Sequence, residues 1–356
     1  MQKKDLSIDS RQSSLITAMR FPLIVLVVFA HSLNFGNVEI VKSLDGWNVY
    51  HFVSEMISHN LARLAVCWFY AISGYFFFRY LKDEDFCLKW VTAKWKKRIW
   101  SLLVPYLIWN LVAFCIPALK SVLFTRLGIG SNNTMPQSNL LFCFWTGPMD
   151  FPLYFMRDLM LMSIIAPAAY LLFRRLRWFS LGLLIALYVS PLNPSLPAMR
   201  AIFYFFLGVW LGTWKVNMLS ICRKFRWPAA VAAIAFLLIA SFYNASVYHE
   251  WMLRAFYPMG MITFMNICDK AIDNDKTHQR LIKLSSAVFF IYASHEILIL
   301  GWTKGAFLRV FGDGLCGAWI SYFCVPATVL LICLGLYWLL NKIFPRTLAF
   351  ACGGRK

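Results

Sequence analysis

Residues 15–35 read LITAMRFPLIVLVVFAHSLNF, an apolar run broken by one arginine, Arg20, and one histidine, His31. At 1.5 Å rise per residue, 21 residues in a helix cover a hydrocarbon core of about 30 Å. The run is therefore predicted to be a membrane-spanning helix. Eleven positions separate Arg20 from His31, close to three helical turns, so the spacing puts both side chains on one face about 16 Å apart along the axis. A charge at membrane depth costs at least about 2.5 kcal/mol, and such residues face a cavity or a partner rather than lipid. The pair marks a candidate functional site inside a membrane protein.

The rest of the composition agrees. Of 356 residues, 60% are hydrophobic and 17% aromatic, while only 14% are charged, a balance outside the range of soluble domains. The first residues, MQKKDLSIDSRQSS, show no cleavage site after a short apolar core, so the first helix is expected to stay as a signal anchor. The ten cysteines include no CxxC and no Cys/His spacing suited to zinc, and neither a metal site nor a disulfide framework is expected. Internal repeats are not evident, which counts against transporters built from inverted repeats.

A net charge of +19 could point to nucleic acid, but position gives it another meaning. Ten apolar segments are predicted as spans: 14–36, 60–80, 99–119, 153–173, 178–191, 199–214, 228–243, 251–268, 285–302 and 317–341. The pair covering 178–214 is also readable as one re-entrant hairpin. With the amino terminus inside, 25 of the 35 basic residues fall in cytoplasmic segments. The bias places both termini in the cytoplasm, and the charge is assigned to topology rather than to a nucleic-acid partner. The longest loop, about 120–152, is too short for a domain of its own. The expectation is an all-α, polytopic transmembrane helical bundle of about ten helices forming a single domain over 1–356. Residues 1–13 would be a cytoplasmic tail, 14–341 the bundle and 342–356 a second cytoplasmic tail.

Four further stretches carry polar groups in or beside apolar helices. NLARLAVCWFYAISGYFFFRYL places Arg63 near the outer end of the second span, and its Ser73-Gly74-Tyr75 step lets a helix or a ligand approach the backbone. WVTAKWKKRIWSLLVPYLIWN sets Lys94, Lys96, Lys97 and Arg98 before the helix that holds Pro105. Such a cluster serves as a topological anchor, or it holds the phosphates of a cytosolic cofactor. FWTGPMDFPLYFMRDLMLM puts Arg157 and Asp158 side by side just inside the fourth span. Neighbouring helix positions diverge by about 100°, so these two are expected to pair with other helices rather than with one another. KLSSAVFFIYASHEILIL places His295 and Glu296 late in the ninth span, where His31 and His295 would share the outer half and line one cavity. The outer aromatic residues Trp47, Tyr50, Trp145 and Trp251 either stack on sugar rings or mark the interface.

In this order the segments resemble the acyltransferase 3 family of integral membrane acyltransferases, which O-acylate bacterial surface carbohydrates. The resemblance rests on Arg20-x10-His31, FYAISGYFFF, KKRIWSLLVPYL, PLYFMRDL, FYFFLGVWLG from Phe203, and FFIYASHEIL, spread over residues 15 to about 300. It implies about ten helices in the bacterial inner (cytoplasmic) membrane and a cytoplasmic acyl-CoA donor, acetyl-CoA being favoured over succinyl-CoA. It further implies a glycan or glycolipid acceptor and essential roles for Arg20 and His31. Many members have Arg-x-x-Arg before the proline-bearing helix. Here Ser101 follows Arg98 at the second position, and Lys97 is the alternative donor contact. The chain resembles the stand-alone type, which has no carboxy-terminal hydrolase-like domain.

Acyl transfer from a thioester to a hydroxyl needs a base for the proton and positive groups for the developing oxyanion. His31 suits the base, or in a two-step variant carries the acyl group. Arg20 suits a pantetheine carbonyl or a phosphate oxygen, with Lys97 and Arg98 at the nucleotide end. Arg63, Ser73, Tyr75, Arg157, Asp158, His295 and Glu296 are candidates for substrate contacts or supporting roles, and Glu296 or Asp158 for orienting a histidine. Arg, His, Asp and Glu within helices also form relays in transporters, so a proton-coupled or lipid-linked-sugar transporter is the rival reading.

Overall fold

A computed structural model of the chain describes residues 8–33, 44–126 and 142–354. Among these residues the regular structure is helical, apart from an isolated bridge between Ser195 and Ala198. The first half contains α1 (Ile8–His31), α2 (Gly46–Ser54), α3 (Leu64–Phe78), α4 (Leu88–Arg98), α5 (Val104–Arg126), α6 (Tyr154–Arg175) and α7 (Arg177–Tyr188). The second half contains α8 (Met199–Thr213), α9 (Met218–Lys224), α10 (Arg226–Phe242), α11 (His249–Ala271), α12 (Asp275–Ser285), α13 (Val288–Ser294), α14 (Gly301–Phe311), α15 (Leu315–Ile343) and α16 (Pro345–Ala351). Wider π-helical turns join α2 to α3 (Glu55–Leu61), α4 to α5 (Ile99–Leu103) and α13 to α14 (His295–Leu300).

Each of the ten expected segments coincides with helix. Five helical stretches are long and apolar enough to cross a membrane: Asp9–His31, Gly46–Phe78, Leu88–Ile116, Phe151–Arg175 and Leu315–Ile343. A sixth is reached if α8 and α9, bent by 108° to one another, form one broken span. The difference from ten has a local cause. The helices α7 and α10 are apolar but only 12 and 17 residues long, and α11 carries Glu250, Arg254, Asp269 and Lys270 within its 23 residues. Of the loop expected over 120–152, residues 120–126 instead continue α5, 142–152 hold short helical turns, and 127–141 lie outside the described residues.

The centre of the bundle is the contact between α3 and α8. A Cβ at Gly74 would collide with the Phe205 carbonyl, one at Gly208 with the Ala71 carbonyl and one at Gly212 with the Tyr75 carbonyl. Contacts that advance along both helices together mean that α3 and α8 run parallel. Three glycines permit this distance, and in lipid such close packing replaces the hydrophobic drive that water would supply. α7 packs antiparallel to α8, with Trp210 Nε1 donating to the Arg177 carbonyl at 2.9 Å and the Tyr188 and Tyr204 hydroxyls 2.9 Å apart at the other end.

Ion pairs gather at the basic end of the bundle. Arg11 at the start of α1 and Arg223 on α9 both reach Asp269 at 2.7 Å, and Arg79 reaches Asp9 at 3.1 Å. Burial pushes the Asp269 carboxyl up, but hydrogen bonds from Arg223 and Arg11 outweigh it and hold the group below the usual carboxylate range. Four elements are thereby tied at the end where the lysines and arginines of α4 also lie.

Candidate active site

A cavity of about 420 Å³ runs between α1, α3, α6, the α4–α5 junction and α13 with the α12–α13 junction before it. Arg98, Ser285 and Ser286 line it at the basic end, Arg20 and Ser73 lie along it, and His31, Pro152 and Tyr154 close the far end. The expected sharing of one wall by Arg20 and His31 is therefore met. Pro22, two residues beyond Arg20, sits inside α1 and cannot donate a backbone hydrogen bond there.

His31 stands at the end of α1, where its Nδ1 meets Glu296 Oε2 at 3.2 Å. Its ring packs edge-on against His295, with centroids 5.2 Å apart, and against Phe151 at 5.9 Å. Glu296 and His295 reach α1 from neighbouring positions because the helix opens there into the π-turn His295–Leu300, a departure from α geometry often found at functional sites. His295 is fully buried. Its Nδ1 lies 3.0 and 2.9 Å from the carbonyls of Ile291 and Tyr292, so that nitrogen carries the hydrogen. Its Nε2 has no hydrogen-bond partner among the described residues. Thus His31 lines the cavity, and His295 backs it from behind instead of sharing the lining.

Two residues that the sequence reading passed over complete this end. Lys304 donates to the carbonyls of His31 and Leu33 at 2.9 and 3.1 Å, closing the end of α1 with a cation in the field of Glu296. Asp150 is buried, and neither carboxyl oxygen has a hydrogen-bond partner among the described residues. Burial and the nearby Glu296 push its carboxyl up to about 8. A lone lysine beyond a span reads as topology, and an aspartate in a Gly-Pro-rich loop reads as a turn, so neither signal stood out.

At the basic end, Arg98 lies over the Phe77 ring at 5.2 Å and donates to the Ser73 carbonyl at 3.3 Å. The Ser73 hydroxyl is buried with no hydrogen-bond partner among the described residues, and Lys97 is exposed outside the cavity. Tyr75 has a packing role: it accepts from Gln12 at 2.7 Å and donates to the Val216 carbonyl at 3.2 Å. Arg63 is half-buried outside the lining. Tyr50, grouped with the outer aromatic residues, is instead buried against Trp319 and Tyr322.

The expectation for Arg157 and Asp158 needs correction, because the two pair with each other at 3.1 Å. The long arginine chain folds back across the angle between adjacent positions. It also donates to the carbonyls of Trp145 and Thr146 at 3.1 and 2.8 Å, while Asp158 accepts from Tyr70 at 3.3 Å. Asp158 is thus occupied away from the histidines, and Glu296 is the carboxylate that meets His31.

His31, His295 and Glu296 also offer one ligand atom each within 4.8 Å of one another, a spacing that a metal ion would accept. As an acid–base group, the same three side chains supply an imidazole on a cavity wall with a carboxylate behind it. Arg20 and Arg98 add positive charge along the approach, the combination that transfer of an acyl group to a hydroxyl requires.

No solved structure matches the chain. It is similar to the succinoglycan biosynthesis protein ExoH of Rhizobium meliloti (strain 1021), with 27% identity over 362 aligned residues covering 98% of this chain and 94% of that protein. A family model described as an acyltransferase domain matches residues 14–338, so the cavity and most of the bundle fall inside the match. The chain belongs to the acyltransferase 3 family and is a multi-pass membrane acyltransferase.

Proposed function

We propose that this enzyme moves an acyl group from cytosolic acyl-CoA to a hydroxyl of a cell-surface glycan or lipid-linked sugar, in the bacterial inner membrane. Ten spans with both termini in the cytoplasm put the basic end of the cavity toward the donor. Acetyl is the favoured acyl group, with acetyl-CoA as donor. The observation that carries the reading is the His31–Glu296 pair at 3.2 Å on the wall of a cavity that also presents Arg20.

The cavity suits a slender arm. Its volume lies in the range of small-molecule sites, about 300–1,000 Å³, and its length joins Arg98 to His31. Arg98 and the exposed Lys97 receive the phosphates, Arg20 and the free Ser73 hydroxyl meet polar atoms of the pantetheine, and the thioester reaches His31. With Nδ1 turned to Glu296, Nε2 of His31 takes the proton as the acceptor oxygen attacks the thioester carbon. The new C–O bond forms, the C–S bond breaks, and the imidazolium returns its proton to the departing thiolate, leaving an ester and free coenzyme A thiol. In the two-step variant, Nε2 attacks the thioester carbon, the C–S bond breaks with loss of the thiolate, and the acceptor hydroxyl then takes the acyl group from Nε2, its proton going to the thiolate. Glu296 stabilises the imidazolium in the first scheme and orients the ring in both.

The test uses vesicles holding the full chain, labelled acyl-CoA and the native membrane glycan. Label on the glycan with wild type, and its loss by at least about 100-fold in His31→Ala at equal folded protein, is the expected result. Normal labelling by His31→Ala would remove His31 from the chemistry. Glycan movement without label would favour transport instead.

A further inference from the structure

We propose that Arg63 and Arg200 form an anion site beside the far end of the cavity, selective for a carboxylate on one of the two reactants. The inference deepens the acyl-transfer reading and rests on it. Arg63 stands immediately before α3, and Arg200 lies in the first turn of α8. Because these helices run parallel and touch through glycine, their starts lie at the same end of the bundle. Both guanidinium groups act electrostatically on the hydroxyls of Tyr154 and Tyr257. Tyr154 lines the cavity near His31, so the field of the two cations reaches the reaction end.

Neither arginine has an ion-pair partner within 4.0 Å among the described residues, although seven other basic or imidazole side chains do. Arg200 makes only a long contact with the Tyr257 hydroxyl, 3.5 Å, and lies over that ring at 5.8 Å. The carboxylate that acts on Arg200 from a distance is Glu250, while Asp158, the acid at the start of α8, is held by Arg157. Arg200 has one acid acting from a distance and Arg63 has no ion-pair partner among the described residues, which leaves a positive surplus, and position 200 adds to the positive end of the α8 dipole instead of offsetting it. An arginine fork binds a carboxylate with two parallel hydrogen bonds, which a neutral acyl tail or sugar hydroxyl does not match. Two sources offer that chemistry: the free carboxylate of a dicarboxylic acyl group such as succinyl, extending past the thioester, or an acidic group on the acceptor.

Full-length protein in native membrane vesicles distinguishes them with acetyl-CoA and succinyl-CoA as donors and extracted membrane glycan as acceptor. The glycan is used both untreated and with its carboxylates methyl-esterified. If the donor supplies the carboxylate, wild type favours succinyl-CoA and Arg200→Gln lowers the succinyl-to-acetyl ratio of kcat/KM by about tenfold or more, with partial recovery in Arg200→Lys. If the acceptor supplies it, esterification lowers wild-type kcat/KM by about tenfold and Arg200→Gln no longer responds to esterification. Should Arg200→Gln fail to accumulate, Arg63→Gln is read by the same two ratios. Ratios equal to wild type in the variants, including a uniform fall with every substrate pair, overturn the site. Absence of transfer by the wild type from either donor refutes the acyl-transfer reading itself and takes the anion site with it.

Discussion

Glu296 matters at the scale of single residues because its carboxylate sets what His31 can do. The pair is 3.2 Å apart, His31 is half-buried, and the neighbouring cation Lys304 is held by backbone carbonyls of residues 31 and 33. Glu296→Gln keeps the size and removes the charge that stabilises a protonated imidazole. We expect kcat to fall about 10- to 100-fold with KM for the donor nearly unchanged, measured as release of coenzyme A thiol. Wild-type kcat would leave Glu296 with a packing role only. A second experiment decides whether the same cluster works with a metal. Acyl transfer by protons and charges alone predicts that EDTA leaves turnover and metal content unchanged, whereas loss of activity restored by zinc would assign His31, His295 and Glu296 as ligands. Arg20 and His31 were legible from their spacing in one apolar run. Glu296 was legible as a costly group, but its choice of His31 over other partners was not. That choice depends on a π-turn, which a 3.6-residue period does not reveal.

Helix elements carry a different kind of specificity. The Ser73-Gly74 step was readable as a place of close approach, and α8 fills it, with Gly208 and Gly212 opposite the Ala71 and Tyr75 carbonyls. Which helix would come close was not readable, since one sequence gives the small residue and not its partner. Gly208→Val is expected to push α3 from α8 at a cost of roughly 1–3 kcal/mol, or to abolish folded protein. Gly335→Val, on α15 with open space around its Cβ position, is the control and should melt within a few degrees of wild type in detergent. Equal melting of both variants would mean that the α3–α8 contact yields easily. The ten expected spans also belong to this scale. Apolarity found the helices of the ten segments but missed polar or short ones such as α4 and α12, and it gave no account of where a span is broken, as at the 108° bend between α8 and α9, where Lys215 takes a positive φ and Asn217 caps α9.

Across the whole molecule, charge is sorted between the two ends, and the basic end is fastened as well as anchored. The bias of lysine and arginine was plain in the sequence, whereas the acids among them were not assigned a role. Asp269 is the clearest case: it joins α11 to Arg11 on α1 and Arg223 on α9, so it ties α1, whose Arg20 and His31 line the cavity, to two helices at the basic end. Hydrogen bonds from these two arginines outweigh burial and keep its carboxyl below the usual range. A carboxyl lowered on folding contributes stability above its unfolded value, near pH 4, and loses it as pH falls through the lower folded value. At pH 7, Asp269→Asn should therefore melt below wild type by an amount equivalent to about 1–2 kcal/mol, since two charge-assisted bonds are replaced by weaker ones on partly exposed arginines. The difference should narrow as pH falls below about 4 and through the lowered range of the wild-type carboxyl, and thermal melting of the full chain in nanodiscs from pH 8 into the acid range measures both. A gap that never narrowed on acidification would mean that the side chain's shape, and not its charge, fastens the three helices.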